Sequence, residues 1–213
     1  MKTEIFEERS FFPELLRPGG WVLDVGARGY LFTNEMVRRG MGVVAVDPKP
    51  PSTTPSSADR VILVIAPVYM VVAGLVGIGH AGRATFASWD NGEPDCLVGW
   101  GGPVPEQASL REVETLDVRQ LMARFGVPSW ELVKMNCEGA EYDILGTWPG
   151  PIARQITVSF HDHTGANPGG DATYKRLFAH LSEWYDVERH VWEERYGAGG
   201  SYYDSLFVLR GVE

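Results

Sequence analysis

Lys134, Asn136 and Glu138 recur at every second position along and just past Trp130–Cys137, with Met135 and Cys137 between them. In an extended strand this spacing puts the three polar residues on one face and the apolar pair on the other. Polar side chains buried without partners cost about 1–3 kcal/mol each, so an interior strand with such a face must meet something polar at the sheet's end. Glu138 at that strand's end, and His161 at the end of the run Ile156–Phe160, are the candidates to take a proton from an acceptor. A positioned base contributes about 10²- to 10⁴-fold to a rate. His161, Asp162 and His163 could also hold a divalent metal together with Glu138, since oxygen and imidazole ligands suit such ions. The plainer alternative is a solvated loop whose side chains cap nearby backbone. Glu141 reads as a charge at a helix N-terminus rather than as a catalyst.

A second group lies earlier in the chain. Asp24-Val25-Gly26-Ala27-Arg28-Gly29 follows an apolar run, and the two glycines would let backbone approach a ligand where a helix begins. Asp47 stands about twenty residues on, the spacing at which an acidic side chain meets ribose hydroxyls in nucleotide-binding α/β folds. Together they point to an adenosine-containing ligand. A dinucleotide fingerprint needs a second glycine where Arg28 stands, which argues against a nicotinamide cofactor.

The elements that must position these residues follow from periodicity. Trp21–Val25, Val43–Val46 and Arg60–Ile65 are short apolar runs ending at turn residues, as buried strands are. Leu31–Arg39 between the first two has helical spacing and stops at Gly40. Ala84–Trp89 is a possible further strand, and Lys49–Ser57 and Asn91–Gln107 are long loops. Asp117–Phe125 reads as a helix capped by Asp117 and stopped by Gly126, Trp130–Cys137 as a fourth strand, and Ala140–Leu145 as a helix. Ile156–Phe160 is a fifth strand, and Thr173–Tyr185 an amphipathic helix. Val187–Trp192 and Ser205–Leu209 close the chain as an antiparallel pair. The expected fold is α/β: a mostly parallel, Rossmann-like sheet with helices on both faces and an antiparallel C-terminal edge, in one domain spanning residues 1–213. Ligands of such sheets bind beyond the carboxyl ends of the strands.

The run Leu132–Glu141 (LVKMNCEGAE), preceded by Val113–Asp117 (VETLD), resembles the FkbM-type methyltransferases, whose pattern is T-L-D followed by K-x-D-x-E-G-A-E. Asp24–Ala27 matches that family's first motif, and the resemblance covers Gly20–Asp47 and Glu112–His161. It implies a class I methyltransferase that binds S-adenosylmethionine through Asp24, Gly26, Ala27, Arg28, Gly29, Asp47 and Asn136. It also implies O-methylation of a small molecule or sugar. The chain departs from the pattern in three places: the glycine turn is one residue shorter, Asn136 replaces an aspartate, and the apolar run Tyr69–Gly79 differs. An amide can still hydrogen-bond the methionine end of the cofactor, but it supplies neither charge nor base. A non-catalytic module that keeps cofactor binding is therefore the alternative.

Composition bounds the remaining partners. A net charge of −9 and a pI near 5.1 argue against a nucleic-acid acceptor. Cys96 and Cys137 form no CxxC pair, which suggests neither a zinc site nor a disulfide scaffold. The charged N-terminus lacks a signal-peptide core, and a cytoplasmic location is expected. Val61–Gly79 is uncharged and long enough to span a bilayer, yet Pro67, Gly74, Gly77 and Gly79 argue against a membrane helix. Trp100, in the Gly- and Pro-rich loop, could line an acceptor pocket, and a homodimer is permitted.

Overall fold

Strands buried on both faces read as unbroken apolar runs, and here such runs assemble into one sheet. A computed structural model of the protein describes residues 10–27, 31–46, 61–64, 82–88, 96–97, 106, 108–137, 141–146, 148, 150–162, 170–196 and 200–212. Strands β1 (Trp21–Val25), β2 (Gly42–Val46) and β3 (Val61–Val64) pair in parallel. A smaller antiparallel sheet holds β4 (Gly82–Ser88) flanked by β5 (Cys96–Leu97) and β6 (Ser109–Thr115). Strands β7 (Trp130–Met135) and β8 (Ala153–Asp162) return to the main sheet, and β9 (Tyr185–Tyr196) and β10 (Gly200–Leu209) complete it. Its order is β3-β2-β1-β7-β8-β10-β9.

The C-terminal hairpin forms the antiparallel edge expected of it. Strand β10 pairs antiparallel with both β8 and β9, so the reversed strand lies one place in from the edge and β9 is outermost. Composition explains the choice: β10 buries Ser205, Leu206, Phe207 and Val208, whereas β9 reads YDVERHVWEERY, a charged sequence suited to an edge. Of the small sheet only the central strand, read at Ala84–Trp89, was legible in the sequence. Strand β6 (SLREVET) is too charged to read as a buried strand, and its partner β4 lies far back in the chain.

Helix α1 (Leu31–Arg38) covers one face of the main sheet. Its Phe32 and Met36 pack with Val22, Val43, Ala45, Leu132, Leu206 and Val208. Helices α2 (Val118–Phe125), α3 (Glu141–Gly146) and α4 (Gly170–Leu181) cover the other face, meeting Leu23, Val44, Val133, Ile156 and Phe160. Phe160 is central on that side, 5.4 Å from the ring of Tyr142 and 5.2 Å from that of Tyr174. Asp117 caps α2 through a reciprocal pair with Gln120, at 2.8 and 3.0 Å, and Gly126 ends the helix at φ 66°.

Along the apolar run Val61–Gly79, the first four residues form β3, and residues 65–79 lie outside the described residues. Among the described residues no helix is long and apolar enough to cross a membrane.

Helix α4 ends four residues before the expected Tyr185, because that phenol and Arg210 need the chain elsewhere. Arg210 donates to the carbonyls of Ser182 and Glu183 at 2.9 and 3.2 Å, closing the turn after the helix. Tyr185, buried at the start of β9, donates to the Ala153 carbonyl at 3.0 Å and accepts from the Ile152 amide at 3.2 Å. Desolvation raises its pKa above the ordinary 10.0, against the smaller lowering pull of the Ala153 and Ile152 backbone bonds. The unfolded chain releases this proton first, so the folded state loses stability as pH climbs past the ordinary value. Urea unfolding should show wild type losing more stability than Tyr185→Phe between about pH 8 and about pH 10.5; parallel losses would sink this assignment.

Candidate functional site

Strand order reverses between β1 and β7, and the crevice beyond their carboxyl ends is where a doubly wound sheet admits a ligand. Two strands that diverge into helices on opposite faces leave polar backbone there. In this chain Lys134 meets that need. Its ammonium donates to the Gly26 carbonyl at 2.8 Å and to the Val25 carbonyl at 3.4 Å. It also lies 3.0 Å from Oδ1 of Asp24, the residue facing it across the β1–β7 ladder. Both side chains are almost wholly buried. Asp24 Oδ1 is off the line a hydrogen bond requires, so this contact is an ion pair and the bonded contacts of Lys134 go to backbone. Asp24 Oδ2 accepts from Thr33 Oγ1 at 2.7 Å, which ties the first turn of α1 to β1.

Asp24 is thus committed inward. With 1% of its surface exposed it shapes the turn from beneath, held by Lys134 and Thr33. Gly26 and Ala27 are committed too. Both amides donate to the Val46 carbonyl, at 2.9 and 3.2 Å, so neither is left to cradle an anion. Gly26 has φ 76°, and a Cβ there would run into the carbonyl of Asn136. Its lack of a side chain lets the β1 turn pack closely on β7. One consequence favours the site. The Val46 carbonyl, at the tip of β2, is pinned to the β1 turn, and Asp47 is the next residue in the chain. Arg28, Gly29, Asp47, Glu138 and His163 themselves lie outside the described residues.

Asn136 extends the ladder by one step, its amide donating to the Val25 carbonyl at 3.1 Å. Its side-chain Oδ1 is buried, with no hydrogen-bond partner among the described residues. A buried amide oxygen left unpaired costs about 1–3 kcal/mol, so this atom marks where a donor belongs. Next to it the half-buried Cys137 thiol donates to Oε2 of Glu141 at 3.4 Å. Glu141 opens α3, at the helix N-terminus where a charge was expected, and it is fully buried there.

Strand β8 runs to Asp162, and His161 is the register partner of Tyr202 on β10. Among the described residues no cluster of three His, Cys, Asp or Glu side chains gathers as metal ligands do. Sequence reasoning missed Thr33, Ser159 and Asp204, the last two being hydrogen-bonded across β8 and β10. No local signal marks them, since the Ser159–Asp204 contact joins residues 45 apart.

No protein-family model matches the chain, and no curated protein matches it.

The buried pair generates a direct test. Lys134→Met strands Asp24 unpaired and should cost about 3–5 kcal/mol in urea unfolding, while Asp24→Leu combined with Lys134→Met should cost less than that single change. A double variant as damaged as the sum of the singles would show that the two charges are not coupled.

Proposed function

We propose that this chain is a class I methyltransferase that uses S-adenosylmethionine and methylates a hydroxyl of a small molecule or sugar. The observation that carries the reading is the buried, unpaired Oδ1 of Asn136 at the end of β7, beside the switch point. An acceptor atom in that position fits the ammonium at the methionine end of the cofactor. Support comes also from the β3-β2-β1-β7-β8 order and the antiparallel β10, a layout the class I fold shares, and from the LVKMNCEGAE resemblance.

When bound, the cofactor would supply an electrophilic sulfonium methyl that passes in line to the acceptor oxygen as the thioether leaves. The residues of the chain hold and orient. Lys134, Asp24 and Thr33 fix the β1 turn, and Val46 ties the tip of β2 to it; Asp47, next in the sequence, is proposed to take the ribose hydroxyls. Asn136 accepts from the ammonium. Glu138 and His161 are proposed to receive the acceptor's proton, since each follows the paired residues Met135 and Val158 by the same number of positions. Fixed alignment of the reacting groups supplies most of the acceleration that such a displacement needs.

Calorimetric titration with S-adenosylhomocysteine tests the reading, with Asp47→Ala and Asn136→Ala alongside. Micromolar binding weakened about tenfold or more in each variant is the expected result, as for loss of a hydrogen bond to a charged group. No binding by the wild-type protein would overturn it. Binding without turnover on any hydroxyl acceptor would instead favour the non-catalytic module.

A further inference from the structure

At the amino ends of β7 and β8, away from the switch point, a second set of charges is left unbalanced. Glu131 on β7 is buried, and the register slip between Trp21 and Val22 gives it no partner on β1. A slip of this kind turns a side chain out of the regular alternation of its strand. Gly20 makes room for it, since a Cβ there would collide with the Glu131 Cγ. Arg17 then takes both carboxylate oxygens: its guanidinium Nε donates to Oε1 at 3.0 Å, and its backbone amide donates to Oε2 at 3.3 Å. One arginine thus both neutralises the buried glutamate and satisfies it.

Arg154 is the cation left over. It stands on β8 between Ala153 and Gln155, the partners of Trp130 and Leu132, and so lies beside Glu131. Its Nε comes within 3.4 Å of Glu131 Oε2 but off the line of a hydrogen bond, and that nitrogen is buried. Among the described residues its guanidinium makes this ion pair and no hydrogen bond, although only 19% of the side chain is exposed. A guanidinium carries five N–H donors and does not lose its charge, so burying most of one without acceptors is costly. Glu131 does not supply the balance, because Arg17 has already met its charge. Two arginines against one glutamate leave one positive charge in excess, in a chain whose net charge is −9.

We infer that Arg154 and Arg17 form an anion site that takes a phosphate group. Arg154 is its floor and Arg17, with 61% of its side chain exposed, its rim. A guanidinium meets phosphate through a fixed planar fork of donors, which the point charge of a lysine does not reproduce. The several oxygens of a phosphate let two guanidiniums bond at once, whereas one fork is enough to occupy a carboxylate. Bound there, the anion bridges the segment before β1 to β8. It does so at the end of the sheet opposite Asn136, which follows the last residue of β7, and so does not compete with the ligand of the switch point.

Calorimetric titration of the whole chain with inorganic phosphate, in chloride buffer at fixed ionic strength, tests this site on wild type, Arg154→Lys and Arg17→Gln. S-adenosylhomocysteine is absent throughout, so the result is independent of the switch point. Wild type should give saturable binding. Arg154→Lys keeps the charge but loses the fork, and should weaken that binding about 10-fold or more, as for hydrogen bonds to a charged group. Arg17→Gln, at the exposed rim, should weaken it about 3-fold. Acetate, titrated in parallel, should bind wild type more weakly than phosphate. No saturable binding by wild type, acetate bound as tightly as phosphate, or both variants binding as wild type does, each overturns the site. Where circular dichroism shows Arg154→Lys unfolded, Arg17→Gln decides: weakened binding supports the site and unchanged binding overturns it.

Discussion

The contact between Lys134 and Asp24 is the constraint on which the rest of the site depends. It joins the two strands at which the sheet reverses direction, and it does so where both are buried. Isolated, either charge would be expensive in the interior. Paired, they leave the ammonium free to bond two backbone carbonyls at the end of β1, and leave a carboxylate oxygen for Thr33. One lysine therefore sets the shape of the β1 turn, and one threonine sets where α1 starts.

From that clamp the geometry spreads along the sheet edge. The turn it shapes spends its amides on Val46, so the end of β2 is held in step with the end of β1. Gly26 allows the turn to press against Asn136, and the ladder carries Asn136 one residue past Met135. The result is a floor at the switch point in which the buried Asn136 Oδ1 has no hydrogen-bond partner among the described residues.

The opposite edge of the sheet is polar for a different reason. Glu131 has no partner on β1, because the register slips between Trp21 and Val22. Arg17 binds it at 2.9 Å, and the Arg154 guanidinium lies 3.4 Å away without a well-directed hydrogen bond. Gln155 clamps the peptide of Phe12 from both sides, at 2.7 and 3.0 Å, and so seats Phe11 in the α1-side core. These contacts staple the segment before β1 to the sheet.

The sequence by itself determined the strands at Trp21–Val25 and Trp130 onward, the helix caps at Asp117 and Gly126, and the α/β alternation, because each rests on neighbours within a few residues. Apolar runs, capping residues and glycine stops are local signals. It also flagged Lys134 and Asn136, since polar residues at a two-residue period stand out in a buried strand. Only the tertiary structure decided what they meet. That Lys134 turns to Asp24 and that Gly26 yields to Asn136 depends on β1 and β7 being adjacent, a pairing of residues about 110 apart that no local pattern encodes. The same holds for the inward commitment of Asp24, the burial of Glu141 and the Ser159–Asp204 pair. The place of β10 inside the sheet, with charged β9 outside it, followed from which hairpin strand had the apolar surface to bury, a choice made only once the whole sheet was assembled.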